Sequence, residues 1–382
     1  MAIITNIEDL RLLAQRRVPR MFFEYVDSGS WTESTYRANS SDFQSICLRQ
    51  RVAAELNATR STATTLAGQA ATMPVALAPA GLTGMQHADG EILAARAAAH
   101  AGVPFTLSTM SICSIEDVAA HGGAPFWFQL YLMKDRDFVE RLIARALAAA
   151  CPVLVLTLDL PVFGQRHNDV RNGLSVPPRR SLRTLAHLLA RPRWCARMLG
   201  TRRRGFGNII GHARSVPDMD SLSAWTTEQF QSTHSWRDVE WVRQRWPGKL
   251  IVKGIMDAED ALHACDSGAD AVIVSNHGGR QLDGALSSIA ALPAIVDAVG
   301  TRTEVHLDGG VRSGQDVLRA LALGARGVHI GRPYLYGLGA LGEHGVRACL
   351  DIIRKELELT MALCGMNDVH EAGRHVLAKP LA

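Results

Sequence analysis

Cysteine is present but unpaired in pattern: Cys47, Cys113, Cys151, Cys195, Cys265, Cys349 and Cys364 are odd in number and form no CxxC. That argues against a disulfide framework or a zinc site, so no metal is expected and a reducing compartment fits best. Long apolar runs are missing too. No unbroken apolar run approaches the roughly 18 residues a membrane-spanning helix needs. The opening "MAIITNIEDLRLLAQRRVPR" carries charges throughout and lacks the apolar core of a signal peptide. Nor is there a large charge excess: 41 basic against 37 acidic residues gives +4, which by itself draws the chain to no polyanion. The 47% hydrophobic and 20% charged content is that of an ordinary soluble globular protein.

What is there is a rhythm. Short apolar runs recur at "VALAP" (75–79), "PFTLS" (104–108), "FWFQL" (126–130), "PVLVLTLD" (152–159), "KLIVKG" (249–254), "DAVIVSN" (270–276), "EVHLDGG" (304–310) and "GVHIGRP" (327–333). Alanine-rich amphipathic segments such as "GEILAARAAAHAG" and "GQDVLRALALGA" separate them. Eight strands alternating with helices predict an α/β fold, a (β/α)8 TIM barrel. The 382 residues suit one such domain. The expected layout is an N-terminal helical segment, a barrel over about 74–335 and C-terminal helices over about 336–382. Ser108, Gln129, Tyr131, Thr157, Asp159, Lys253, Ser275, His277 and Asp308 all fall at the C-terminal ends of predicted strands, the face on which barrels build active sites.

One interval breaks the rhythm. Strands four and five are separated by residues 160–249, with a middle section, about 171–220, rich in arginine. Arg171, Arg179, Arg180, Arg183, Arg191, Arg193, Arg197, Arg202, Arg203, Arg204 and Arg214 face only Asp218 and Asp220 there. Leu185, Leu188, Leu189, Trp194, Met198, Leu199, Phe206, Ile209 and Ile210 are interleaved. Arginines mixed with large apolar side chains suit an anionic membrane surface. A solvated loop is the plainer alternative. No nucleic-acid module accompanies the charge, so no nucleic-acid partner is expected.

The chemistry concentrates in "VIVSNHGGRQLDG" (272–284). His277 and Arg280 stand three apart, and Gly278 and Gly279 between them leave room for something flat to approach the backbone. Further on, "LDGGVRSG" (307–314) and "HIGRP" (329–333) open helices with glycine-rich turns. Such turns expose N–H groups to a phosphate, and loops after strands seven and eight are the usual barrel phosphate site.

Together "VSNHGGRQLDG", "DGGVRSGQDVLRALALGA" and "IGRPYLYGL" resemble the FMN-dependent α-hydroxy-acid dehydrogenases. The likeness extends from "RVPRMFFEYVDSGS" through "LRQR", "MPVALAPAGLTGM", "GVPFTLST", "FWFQLY" and "LTLDLP" to the C-terminal helices. It is greatest to the quinone-linked bacterial L-lactate dehydrogenases, with mandelate dehydrogenase next and glycolate oxidase a further relative. The resemblance implies His277 as active-site base with Asp159 as its carboxylate partner. It implies Arg280 and Arg166 as grips on the substrate carboxylate, and Tyr25 and Tyr131 as hydroxyls touching the substrate. Lys253 would stand beside flavin N1 and O2. Ala78, Pro79, Ala80, Ser108, Gln129, Thr157 and Ser275 match flavin contacts, and Asp308, Gly309, Gly310, Arg312, Gly331 and Arg332 match the phosphate side. The implied reaction is oxidation of an L-2-hydroxy acid. The residue types suit it: histidine takes a hydroxyl proton near neutral pH, paired arginines orient a carboxylate, and a lysine stabilises negative charge on a reduced cofactor. The Cα hydrogen can leave as hydride or after a carbanion forms; hydride transfer to N5 is the favoured reading.

The arginine-rich interval resembles the membrane-binding segment of the dehydrogenases. It implies a peripheral protein on the cytoplasmic face of the inner membrane that passes electrons to quinone, and relatives imply a homo-tetramer. A soluble oxidase releasing hydrogen peroxide is the alternative. Gly81 leaves space beside the flavin, while the bulky Met110 and Phe163 favour a short substrate side chain. L-lactate is therefore expected ahead of mandelate. Other phosphate-binding barrels, such as type 2 isopentenyl diphosphate isomerase or IMP dehydrogenase, do not require His277 and Arg280 with Arg166 and both tyrosines. A non-enzymatic membrane scaffold would leave the polar strand ends without purpose.

Overall fold

The computed structural model describes residues 3–174, 182–213, 216, 225, 228, 229 and 234–378. After three N-terminal helices, α1 (Ile7–Arg17), α2 (Arg20–Asp27) and α3 (Ser34–Ser45), comes a hairpin of β1 (Thr64–Leu66) and β2 (Gln69–Ala71). The eight apolar runs then form β3 (Val75–Leu77), β4 (Thr106–Ser108), β5 (Trp127–Tyr131), β6 (Val153–Thr157), β7 (Lys249–Ile255), β8 (Ala271–Val274), β9 (Glu304–Asp308) and β10 (Gly327–Ile330). They pair in parallel in the order β3-β10-β9-β8-β7-β6-β5-β4, and a parallel bridge between Leu77 and Phe105 joins the two ends. The result is the expected (β/α)8 barrel.

Both faces of each strand are covered, so most of the strands read as largely apolar runs, with polar residues mainly at their C-terminal ends. Alternation sorts them by side. Leu154, Leu156, Leu250, Val252, Val272 and Val274 face the surrounding helices, while Ala76, Trp127, Val153, Val155, Ile251, Ala271 and Ile273 fill the barrel. The hairpin was not foreseen. Its two-residue turn, Ala67 and Gly68, is left-handed throughout (φ 46° and 74°), and Leu66, Ala67 and Ala71 plug the N-terminal mouth of the barrel.

α1 packs on the helix Arg332–Leu341 that follows β10 directly. The end of α2 is fastened to the opposite half of the sequence. Arg332 donates to the carbonyls of Val26 (2.8 Å) and Ser28 (2.9 Å), and Arg280 donates to those of Tyr25 and Ser28.

The long interval after β6 departs in part from the expected basic surface. It carries helices Leu182–Leu189 and Pro192–Gly200. Of the apolar residues interleaved there, Met198, Phe206 and Ile209 are buried in the body, and Trp194 stacks on Phe22 with ring centres 5.4 Å apart. Leu189 and Leu199 are the strongly exposed ones, at 67% and 73%. Arg203 is also tied down, to Asp89 (3.1 Å) and Asp117 (2.7 Å). Acidic residues from outside the interval therefore oppose its arginines, which spacing along the chain could not reveal. Arg179, Arg180, Arg214, Asp218 and Asp220, and the side chains of Arg183 and Leu185, lie outside the described residues. Among those described, no helix is long and apolar enough to cross a membrane.

Candidate active site

A cavity of about 690 Å³ opens at the C-terminal end of the barrel. Of the residues singled out from sequence, Tyr25, Ala78, Pro79, Ala80, Tyr131, Thr157, Arg166, Lys253, His277, Arg280, Asp308, Gly309, Gly310, Arg312, Gly331 and Arg332 line it. Gly81, Met110 and Phe163 line it as well. Ser108, Ser275 and Asp159 stand one layer behind and hydrogen-bond lining residues, and Gln129 stands there beside Ser108.

His277 is held in an unusual backbone conformation. β8 ends at Val274, and His277, Gly278 and Gly279 then run consecutively left-handed (φ 58°, 66° and 70°). For a non-glycine residue this costs about 1–3 kcal/mol and persists only where the surroundings enforce it. Asn276 does the enforcing: its Oδ1 accepts from Gly279 N (2.9 Å), and its amide pairs with that of Asn39 (2.8 Å). The two glycines do not leave room for a flat ligand, as the sequence had suggested. A Cβ on Gly279 would lie 2.5 Å from the Tyr36 backbone, and one on Gly278 would lie 2.7 Å from the Arg332 guanidinium. What approaches the backbone there is the chain itself.

His277 Nδ1 meets Asp159 Oδ1 at 2.8 Å. A carboxylate only accepts, so Nδ1 carries the proton and Nε2 is left with its lone pair. Burial pushes the imidazole below its ordinary value, with Lys253 adding to that and Asp159 opposing it. The ring is therefore neutral near pH 7. Burial works against ionisation of Asp159, but His277 and Lys253 outweigh it and hold the carboxyl down at about 2. Lys253 Nζ contacts Ser275 Oγ (2.9 Å), Asp159 Oδ2 (3.3 Å) and Asp308 Oδ2 (3.4 Å). Those two carboxylates overcome its burial and raise its affinity for its proton. The contact with Asp159 needs a bulge in β7: Gly254 (φ 103°) has Asp159 where its Cβ would be, 2.6 Å from Asp159 Cβ.

Around the cavity, two cations converge. Arg280 lies over the Tyr25 ring at 4.6 Å, and its buried Nη2 has no hydrogen-bond partner among the described residues. Arg166 approaches the Arg280 carbonyl through Nε (3.4 Å). Burial and the neighbouring Arg280 lower Arg166 to about 10, which leaves it charged near neutral pH. Between them stands Asp169, 3.9 Å from Arg166 and 3.7 Å from Arg280, with Oδ1 unpartnered. Burial raises its carboxyl despite both arginines. Sequence reasoning missed Asp169. Its one signal was its place three residues after Arg166, on the short helix His167–Arg171.

Several polar atoms beneath the cavity have no hydrogen-bond partner among the described residues: Gln129 Nε2, Thr157 Oγ1 and Asp308 Oδ1. Buried polar groups in native proteins are otherwise satisfied, so these fit a bound heteroaromatic ring bearing donors and acceptors. Arg312 makes one side-chain hydrogen bond, to the Val311 carbonyl (2.9 Å), and faces the cavity beside Gly309 and Gly310. Arg332 is more committed, since its three nitrogens each donate to a carbonyl, at Val26, Gly278 and Ser28.

Residues 14–379 match the family described as FMN-dependent dehydrogenase. The chain belongs to that family. It is 48% identical over 379 residues to the L-lactate dehydrogenase of Caulobacter vibrioides, covering 99% of this chain and 98% of that one. With the L-lactate dehydrogenase of Pseudomonas syringae it shares 44% over the full length of both. Among solved structures, the monotopic membrane protein (S)-mandelate dehydrogenase superposes with a TM-score of 0.93 at 35% identity, covering 99% of this chain and 100% of that one. A soluble mutant of the membrane-associated (S)-mandelate dehydrogenase from Pseudomonas putida gives 0.83 at 34%, with the same coverage. As an FMN-dependent dehydrogenase, this protein is a flavin oxidoreductase acting on a 2-hydroxy acid.

Proposed function

We propose that the protein oxidises L-lactate to pyruvate with bound FMN and passes the electrons to membrane quinone. The observation that carries the chemistry is the neutral His277, its proton fixed on Nδ1 by Asp159, lining the same cavity as Arg280 and Arg166. Arg280 Nη2, without a hydrogen bond among the described residues, receives the substrate carboxylate together with Arg166, and Asp169 is the counter-charge the substrate relieves. That clamp places the 2-hydroxyl at His277 Nε2, which takes its proton while Asp159 stabilises the imidazolium. Tyr25 and Tyr131 complete the substrate site. FMN supplies the two-electron acceptor for the Cα hydrogen, taken in our reading as hydride. Lys253 holds positive charge where negative charge then accumulates. Ala78, Pro79, Ala80, Ser108, Gln129, Thr157, Ser275 and Asp308 would hold the ring, and Gly309, Gly310, Arg312, Gly331 and Arg332 the phosphate side.

The choice of lactate rests on the identity to L-lactate dehydrogenases and on Met110 and Phe163 lining the cavity. A methyl group placed there meets less obstruction than a phenyl. Quinone as acceptor is supported by exposed Leu189 and Leu199 and by the higher TM-score to the monotopic relative than to its soluble mutant. The test is anaerobic absorbance of the yellow protein with L-lactate, L-mandelate or glycolate added in parallel. Fastest bleaching by L-lactate is expected. Bleaching by mandelate alone overturns the substrate, and bleaching by none overturns the reaction. Hydrogen peroxide formation without reduction of a quinone analogue overturns the acceptor.

A further inference from the structure

The barrel core beneath the cavity should be apolar, and around most of the ring it is: Ala76, Trp127, Val155, Ile251 and Ile273 fill it. Two histidines break that pattern. His306 of β9 and His329 of β10 both point inward, buried to 0% and 1%, with His306 Nδ1 and His329 Nε2 2.9 Å apart. His306 Nε2 meets Glu304 Oε2 at 3.0 Å, and the same oxygen accepts from Ala67 N (2.7 Å) in the hairpin that plugs the barrel. The mechanism above uses none of the three.

Glu304 fixes the direction of every hydrogen bond in the row. Its carboxylate only accepts, so His306 carries its proton on Nε2. His306 Nδ1 must then accept, so His329 carries its proton on Nε2. His329 Nδ1 is left as a bare lone pair with no hydrogen-bond partner among the described residues, and His329 lines the cavity. A carboxylate, a histidine and a second histidine thus end in a basic nitrogen directly under the site assigned to the cofactor.

We propose that Glu304, His306 and His329 form a charge-compensating proton site beneath the flavin, which takes one proton from water when the cofactor is reduced and returns it to water on reoxidation. The inference rests on the FMN reading above. The balance is simple. Two electrons and one proton arrive with the Cα hydrogen, and once His277 has released the substrate hydroxyl proton to water the cavity is one negative charge richer. One proton added at His329 Nδ1 cancels it, the His329 Nε2 proton can shift to His306 Nδ1, and the cation then lies against the Glu304 carboxylate.

The surroundings decide when this happens. Burial, His306 and Lys253 hold the His329 imidazole well below its ordinary value, so His329 stays neutral while no negative charge is present. Burial would raise the Glu304 carboxyl, but the hydrogen bonds from His306 and Ala67 and the field of Arg326 keep it below its usual range, hence charged. Asp308 stands beyond Lys253 at 3.4 Å. From β3 and β5, Ala76 and Trp127 offer nothing that titrates.

The test is the pH dependence of the flavin midpoint potential in wild type, His329→Phe, His306→Phe and Glu304→Gln holoenzymes. Each proton taken up with two electrons adds about 30 mV per pH unit to the slope. Wild type is expected to exceed His329→Phe and His306→Phe by that amount, and His277, present in all variants, cancels from the difference. Glu304→Gln keeps the shape and the Ala67 hydrogen bond but loses the charge, so its change of slope is expected at lower pH. An indicator dye during anaerobic photoreduction should count one proton more in wild type than in His329→Phe. FMN-bound variants with wild-type slopes and proton counts overturn this inference and leave the FMN reading intact. A wild-type protein that binds no FMN overturns both.

Discussion

Burial and Lys253 make the His277 imidazole a neutral group, and Asp159 decides which nitrogen keeps the proton. Replacing His277 by Gln is expected to slow anaerobic flavin reduction by about 10²–10⁴-fold, the usual contribution of a general base, with FMN still bound; stopped-flow absorbance reads both. The sign of the pH dependence follows from the direction of the shift. His277 works unprotonated and its value lies below the ordinary 6.5, so the rate should fall only as pH drops through that lowered value. Asp159 raises the affinity of His277 for its proton, so Asp159→Asn should move the acid limb to still lower pH and reduce the plateau. His277 and Arg280 were legible in the sequence because one short motif carries both. Asp169 was not, because it matters only through lying between Arg166 and Arg280, residues the fold brings together across 114 positions.

At the scale of elements, the barrel strands were legible because they are buried on both faces and most read as short, largely apolar runs, β6 and β8 without interruption before their ends. The plugging hairpin was not: three of the eight residues of "TTLAGQAA" are alanine, and it lacks the Asn-Gly or Asp-Gly turn that marks a hairpin. The glycines after His277 were seen but misread, since their necessity comes from α3 and not from a ligand. Gly279→Ala is accordingly expected to destabilise the protein by more than the roughly 1–3 kcal/mol of left-handed strain, because the new Cβ also meets Tyr36; thermal unfolding measures it. In the interval after β6, the buried Met198, Phe206 and Ile209 hold the fold, while Leu189 and Leu199 face outward. Changing both leucines to Glu should release the protein from anionic vesicles in a sedimentation assay with little change in melting temperature.

For the whole molecule, the cavity joins loops from most of the barrel, so a ligand that fills it ties many elements together. Stripping FMN is expected to lower the melting temperature, and restoring it to about 100 times its dissociation constant should return about 2.7 kcal/mol; scanning fluorimetry with and without added FMN is the check. The N-terminal helices extend that interdependence to the order in which the chain is made. Arg280 reaches back 255 residues to the Tyr25 carbonyl, and Arg332 reaches back 306 to that of Val26. On the ribosome, α2 therefore emerges long before the two arginines that fasten it exist. A chain that has not yet reached Arg332 lacks part of what fastens α2, so the wall that Tyr25 gives the cavity is secured only after β10 has been made.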